Sequence, residues 1–189
     1  MNANSICHPR LGKTSHWKEP FIHVSEDGIP LRFSLFDAFN YHGFDAPGGV
    51  VLAFRLLQRA FALLAPGEEC PDRRSLSLFT SFPGLGLKDT VELVTRMVTD
   101  SRYRVDPEHV DLRAQEGVAG RFYYRFSYRG KSVELAPVEG YPNPSFISLG
   151  RASKHPGFTA ESALAWTEAK FSLAETLLGA DAGMVIREL

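Results

Sequence analysis

Cysteine is scarce in this chain: its 189 residues include only Cys7 and Cys70. Two thiols make no disulfide framework, and no Cys-x-x-Cys pair exists to close a zinc ribbon. Reduced thiols and a cytoplasmic location are therefore expected. An excess of charge of one sign is also missing. Lys and Arg number 21 against 22 Asp and Glu, for a net charge of −1, so neither nucleic acid nor an anionic membrane is an expected partner. Long hydrophobic runs are lacking too. The longest, Val50 to Leu64, is interrupted by Arg55, Gln58 and Arg59, and none reaches the roughly 18 residues of a membrane span. The N-terminal MNANSICHPRLGKTSHW has no apolar h-region, so no secretory signal is expected there. Finally, there is no Gly-x-Ser-x-Gly, no cysteine nucleophile dyad and no paired-carboxylate motif, which leaves a hydrolase without a nucleophile and base.

What is present suits a globular domain. The hydrophobic fraction is 44% and the charged fraction 23%, enough for a sizeable core in one domain over residues 1–189. Residues 1–20 are polar and irregular and read as an arm. Phe21-Ile22-His23-Val24 is a short strand, closed by Ser25-Glu26-Asp27-Gly28. Apolar spacing predicts a short helix over Phe33 to Tyr41. Pro47 suits a first helical position, opening a mostly buried helix that Pro66-Gly67 stops after about Leu64. Residues 74–82 alternate, with Leu76, Leu78, Thr80 and Phe82 on one face of a strand. Pro83-Gly84-Leu85-Gly86 is a turn into a helix over residues 87–99, lined by Leu87, Val91, Val94 and Val98 and supported by a Glu92–Arg96 pair. Val118 to Tyr128 reads as a strand with Arg121, Tyr123, Arg125 and Arg129 on its polar face. Arg129-Gly130 turns it into a partner strand over residues 131–138. Residues 136–158, rich in proline, read as a long loop. Thr159 caps a last helix over 160–178, with Leu164, Phe171, Ala174 and Leu178 inside. The order is α+β rather than a regular βαβ alternation.

Candidate chemistry concentrates at FNYHGFDAPGG, residues 39–49. Asp37, His42 and Asp45 lie close together there, with nitrogen and oxygen donors that suit zinc and other divalent metals. The plainer reading makes Asp45 a helix N-cap and His42 an ordinary satisfied histidine. The Ser81 to Asp89 segment is glycine-rich, yet it lacks the third glycine of a dinucleotide fingerprint, and Lys88 is wrongly spaced for a P-loop. Cys7, His8, His16 and His23 are further metal donors without a motif. Arg121, Arg125 and Arg129, with Lys131, form a basic stripe for an anion or an acidic partner, or else a solvated sheet face. Tyr141, Asn143, Ser145 and Lys154 are positioned by sequence to close over a site.

The stretch Tyr41-His42-Gly43-Phe44-Asp45-Ala46-Pro47-Gly48 resembles the signature of the FmdE/FwdE-like family of formylmethanofuran dehydrogenase proteins. That signature runs aromatic residue, His-Gly-His-x-Cys-Pro-Gly, then an apolar helix. The resemblance continues through the strand, turn and helix of Leu76 to Thr99, the Gly120-Arg121 to Phe126 strand and the Gly130-Lys131 hairpin. It covers residues 33–138. It implies an α-β-α-β-β-β core with a mixed sheet, related in shape to the second domain of glyceraldehyde-phosphate dehydrogenase, to which this chain adds its arm and a C-terminal helix and tail over 159–189. It also implies a homodimer, other subunits of a redox complex as further partners, and a bound divalent metal, zinc first. The chain departs from the pattern where Phe44 replaces the second histidine, Ala46 the cysteine, and Ser81 or Phe82 a cysteine after the following strand. Only His42 carries over residue for residue. Two functions follow as expectations. One is a metal-binding FmdE-like protein of molybdenum/tungsten one-carbon redox metabolism, with His42 as ligand and Asp45, Asp37, Cys7 or His16 assisting. The other is a non-catalytic small-molecule, cofactor-binding or assembly subunit, its pocket walled by Tyr41, Phe44, Phe82, Gly84 and Tyr141.

Overall fold

The computed structural model describes residues 20–189. The expected arm, with Cys7 and His16, lies outside the described residues. The chain is α+β: among the described residues it forms six helices, a five-stranded mixed sheet and a separate two-stranded hairpin.

The hairpin comes first. β1 (Phe21–Glu26) and β2 (Ile29–Ser34) pair antiparallel about Asp27-Gly28, both with positive φ, the backbone that a two-residue type I′ turn requires. β2 falls in residues 29–34, where hydrophobic patterning predicts no strand. Only Leu31 and Phe33 of this strand pack against the core, and most of it is exposed, so its alternation is weak.

Ser34 then starts α1 (Leu35–His42) with a capping box. Its hydroxyl accepts from the Asp37 backbone N–H, and the Asp37 carboxylate accepts from the Ser34 N–H. This arrangement satisfies two orphan helix donors at once. α2 (Pro47–Leu64) follows and is the central element, with both apolar and small positions buried along its length. By length and composition it is apolar enough to cross a membrane, but it is mostly buried inside the protein, where its side chains form the middle of the core.

A short 3-10 turn at Arg73–Ser75 leads to β3 (Leu76–Thr80). α3 (Leu85–Thr95) connects β3 to its parallel neighbour β4 (Tyr103–Val105). β5 (Tyr124–Tyr128) and β6 (Lys131–Pro137) form an antiparallel hairpin through Arg129-Gly130, also at positive φ. From α2 to β6 the order is α-β-α-β-β-β. The C-terminus returns through α6 (Ala182–Val185) to β7 (Ile186–Glu188), giving the strand order β4-β3-β5-β6-β7.

Alternation decides which sheet face is covered. Leu76, Leu78, Thr80, Tyr124, Phe126, Tyr128 and Leu135 are all fully buried, and the apolar members of this set join α1, α2 and α3 in one core cluster. The opposite face holds only a small cluster of Ala114, Tyr123 and Ala136 with Phe79 and Leu189.

Four expectations change. Residues 136–158 are not a loop: β6 runs to Pro137, and α4 (Pro144–Ala152) follows, capped by Asn143, whose Oδ1 accepts from the Phe146 N–H. Its proline sits in the first turn, where a missing N–H is harmless, so a residue that resembles a loop signal is a helix start. α3 stops at Thr95 because Arg96 turns left-handed. Glu92 makes no direct ion pair with Arg96, whose charge still favours its carboxylate form behind the bonds from Thr99 and Val98. Its carboxylate instead accepts the N–H groups of Val98 and Thr99 just beyond. The clear strand signal from Val118 yields a strand only from Tyr124. Gly120 lies within the irregular part, at positive φ and packed so tightly that an added Cβ would collide with the Ser81 carbonyl oxygen. Finally, α5 (Ala160–Leu178) is capped by Thr159 as expected, and Phe171, Ala174 and Leu178 are buried, but Leu164 is 71% exposed. Only the second half of α5 lies on α2. Arg55 anchors it there, donating from Nε to Leu177 O and from Nη2 to Leu178 O, each at 3.1 Å.

Candidate functional site

The last residue of α1 is His42. Its Nδ1 lies 2.7 Å from Oδ2 of Asp89, one turn into α3. The His42 side chain is 7% exposed and that of Asp89 36%. A carboxylate only accepts, so Nδ1 carries a proton, and in the neutral ring the lone pair is then on Nε2. That Nε2 is buried and has no hydrogen-bond partner among the described residues. A carboxylate that fixes a histidine through one ring nitrogen and leaves the other available is the arrangement that orients metal-ligating histidines, or a proton acceptor.

The pair sits where two helices begin. The first turn of α2 and the first turn of α3 touch through glycines: a Cβ on Gly86 would stand 2.9 Å from the Val50 nitrogen and 3.1 Å from the Gly49 carbonyl carbon. Gly48 makes room on the other side for the Leu173 side chain of α5. Neither helix has a side-chain N-cap or an acidic residue in its first turn. Expected to cap α2, Asp45 does not; Ala46 occupies the N-cap position. The Asp45 backbone carbonyl instead accepts from Lys170 Nζ.

Beneath α3 the sheet contributes polar groups. Burial, and then the nearby Asp89 charge, pushes the Tyr103 hydroxyl well above its ordinary range. Burial and then Tyr103 do the same to Tyr124. The hydroxyls of Tyr124, of Ser81 just after β3 and of Thr90 on α3 itself are buried with no partner among the described residues.

The expected site residues separate. Asp37 is committed to the capping box, with Oδ2 within 2.9 Å of both the Ser34 nitrogen and Oγ. Five residues from His42 on a helix, it also points about 140° away around the axis. It does not join His42. Asp45 is exposed. His23 lies exposed on β1, bordering a 490 Å³ depression with Phe61, Glu68 and Glu69. Among the described residues no group of three or more His, Cys, Asp or Glu is placed to hold a metal. The described residues thus offer one good nitrogen donor, not a complete coordination set.

The expected pocket wall also divides. Tyr41 is exposed beside His42. Phe44 stacks flat on Phe39 at 4.9 Å. Phe82 packs on Phe122 at 4.6 Å and fills the space a Cβ of Gly84 would need. Tyr141 is elsewhere: with Asn143, Ser145, Phe146, Ser172 and Leu173 it lines a cavity of about 280 Å³ between α4 and α5. The basic stripe divides as well: Arg121 donates to the Ala114 carbonyl and Arg129 to Glu68, while Arg125 stays exposed against Phe79.

Asp89 is the residue that sequence reasoning missed. It closes the glycine-rich segment after β3 without a motif of its own, and 47 residues separate it from His42. Only the packing of α1 on α3 brings them together. The chain matches no family model, and no curated protein matches it.

Proposed function

We propose that the protein is a metal-binding accessory protein of the FmdE-like kind, with His42 as a ligand through Nε2 and Asp89 as its orienting partner. The observation that carries this reading is the His42–Asp89 bond at 2.7 Å together with the buried Nε2, which has no hydrogen-bond partner among the described residues. A histidine held in this way has its lone pair aimed and its tautomer fixed before a ligand arrives. Zinc is the first metal to test, because it takes imidazole and thiolate readily. Cys7 and His16 are donors of the right type elsewhere in the sequence, and a second copy of the chain is another source. The resemblance at residues 41–48 would place such a protein beside a formylmethanofuran dehydrogenase-type redox complex in the cytoplasm, as a homodimer or with the other subunits of that complex.

A second reading, a non-catalytic small-molecule or assembly subunit, is favoured by the lack of a three-residue acid, histidine or thiol cluster among the described residues. Elemental analysis of the purified protein, repeated on His42→Ala, separates the two. Stoichiometric zinc that is lost in the variant while the melting temperature of the metal-free protein is kept supports the first. Zinc-free wild type that gains no thermal stability from added divalent metal sinks it. Under the second reading a cofactor at 100-fold its Kd adds about 2.7 kcal/mol, visible as a shift in melting temperature.

A further inference from the structure

We propose that the outer face of the five-stranded sheet docks an acidic, extended segment of a partner protein on the cross-strand row Arg104–Phe79–Arg125. Strand register builds this row: Phe79 of β3 pairs with Arg104 of β4 on one side and with Arg125 of β5 on the other. The Arg104 guanidinium lies 5.7 Å and that of Arg125 5.0 Å from the Phe79 ring centroid. His109 meets the same ring edge-on at 5.0 Å. Both arginines are exposed, and neither has a carboxylate partner among the described residues. The next residue in the row, Glu134, does not neutralise Arg125. It accepts from the Tyr123 hydroxyl at 2.7 Å and from Arg113 at 2.7 Å, and Arg113 also holds Asp111. Two guanidinium groups thus lie against one aromatic ring without a carboxylate partner among the described residues, and the neighbouring acids Glu134 and Asp111 are both bonded to Arg113.

The shape of the face points to a peptide. One pleat along the strands, Ser77, Ser127 and Ser132 align in the same cross-strand fashion, and Ser127 and Ser132 bond to each other at 2.7 Å. These short side chains leave a low polar shelf beside the arginines. The two arginine Cα atoms are two strand spacings apart, roughly 9–10 Å, with the ring between them. Carboxylates two residues apart on an extended chain, about 7 Å, can each take one guanidinium. Residues 109–113 run alongside the row, from His109 at Phe79 to Arg113 at Glu134, and present Val110 and Leu112, the latter 84% exposed. They supply apolar contacts for the intervening residues of the same segment.

The test is fluorescence anisotropy with a labelled decapeptide of alternating glutamate and threonine, beside an oligouridylate of equal length, on the full chain. The expected result is peptide binding that weakens with added salt and falls at least tenfold in the double variant Arg104→Gln/Arg125→Gln, but not in Lys131→Gln. Both arginines are exposed, so the fold should persist; should the double variant unfold, the two single variants read the same loss. Equal peptide binding by wild type and variants, tighter binding of the oligouridylate through the same arginines, or no peptide binding at low salt each overturns the proposal.

Discussion

At the scale of the residue, His42 illustrates what spacing can and cannot convey. Its position before a proline-opened helix was legible because proline and glycine punctuate the chain locally. Its partner was not, since a contact between α1 and α3 leaves no mark within either segment. The three donors closest in sequence, Asp37, His42 and Asp45, end up on three different tasks: a cap, a buried pair and an exposed turn. Proximity along the chain therefore overstated the metal cluster. Replacing Asp89 isolates the contribution of the orienting carboxylate. In Asp89→Asn the side chain can no longer act only as an acceptor, so the Nδ1 proton is no longer enforced. If the metal reading holds, zinc affinity falls roughly 10- to 100-fold, the usual effect of removing such a partner. Long-range imidazole nitrogen NMR provides an independent readout: the wild type shows the Nδ1-protonated tautomer at His42 and the variant a mixture. An unchanged tautomer would mean that Asp89 does not orient the ring.

At the scale of the element, α1, α2, α3 and α5 are readable in the sequence while α4 and α6 are not, and the reason is local chemistry. Pro47 and Thr159 mark helix starts in the sequence because the orphan N–H groups there need a substitute or no donor at all. The ends of elements depended on neighbours instead. α3 ends where Arg96 goes left-handed, and β5 begins only after Gly120 has cleared the Ser81 carbonyl. Neither event is visible in hydrophobic period. The glycines where α2 meets α3 and α5 separate packing from propensity. Gly49→Ala would place its Cβ 3.8 Å from its nearest neighbours, an ordinary contact, and helix propensity then adds up to about 1 kcal/mol. Gly48→Ala meets the flexible end of Leu173 at 2.8 Å and should be nearly neutral after that side chain shifts. Gly86→Ala drives its Cβ against α2 backbone at 2.9 Å, where nothing can yield without moving a helix, so it should cost about 1–3 kcal/mol. Urea unfolding should rank the variants Gly49→Ala, Gly48→Ala, Gly86→Ala from most to least stable. A Gly86→Ala protein as stable as wild type would show that the two helices do not touch there.

At the scale of the whole molecule, the α+β class follows from two periods that switch along the chain. The helix-covered face of the sheet was readable because its alternation is strict, whereas the outer face was not, because its cover comes from irregular residues 106–121 and the C-terminus. Tyrosines on both faces tie the sheet to its pH range. Burial, and then its bond to Glu134, pushes Tyr123 up to about 12, while Tyr103 and Tyr124 are raised by burial on the inner face. A hydroxyl whose pKa is higher folded than unfolded contributes stability that is complete below the unfolded value of about 10 and is lost as pH rises through the folded one. These three groups share one sheet, so they should lose their protons together with the fold rather than one at a time. Absorbance at 295 nm between pH 9 and 12.5, followed alongside far-ultraviolet circular dichroism, should show Tyr103, Tyr123 and Tyr124 ionising in the same step in which secondary structure disappears. Tyr123→Phe removes one contributor and should move that step to higher pH. Glu134 works in the opposite sense: the Tyr123 hydroxyl and then Arg113 hold its carboxyl low, so its contribution is present above about pH 4.3 and fades as acid protonates it. Full ionisation of all three tyrosines while circular dichroism stays native would show that these rings are accessible in the folded protein, and would remove the sheet from the account of its alkaline limit.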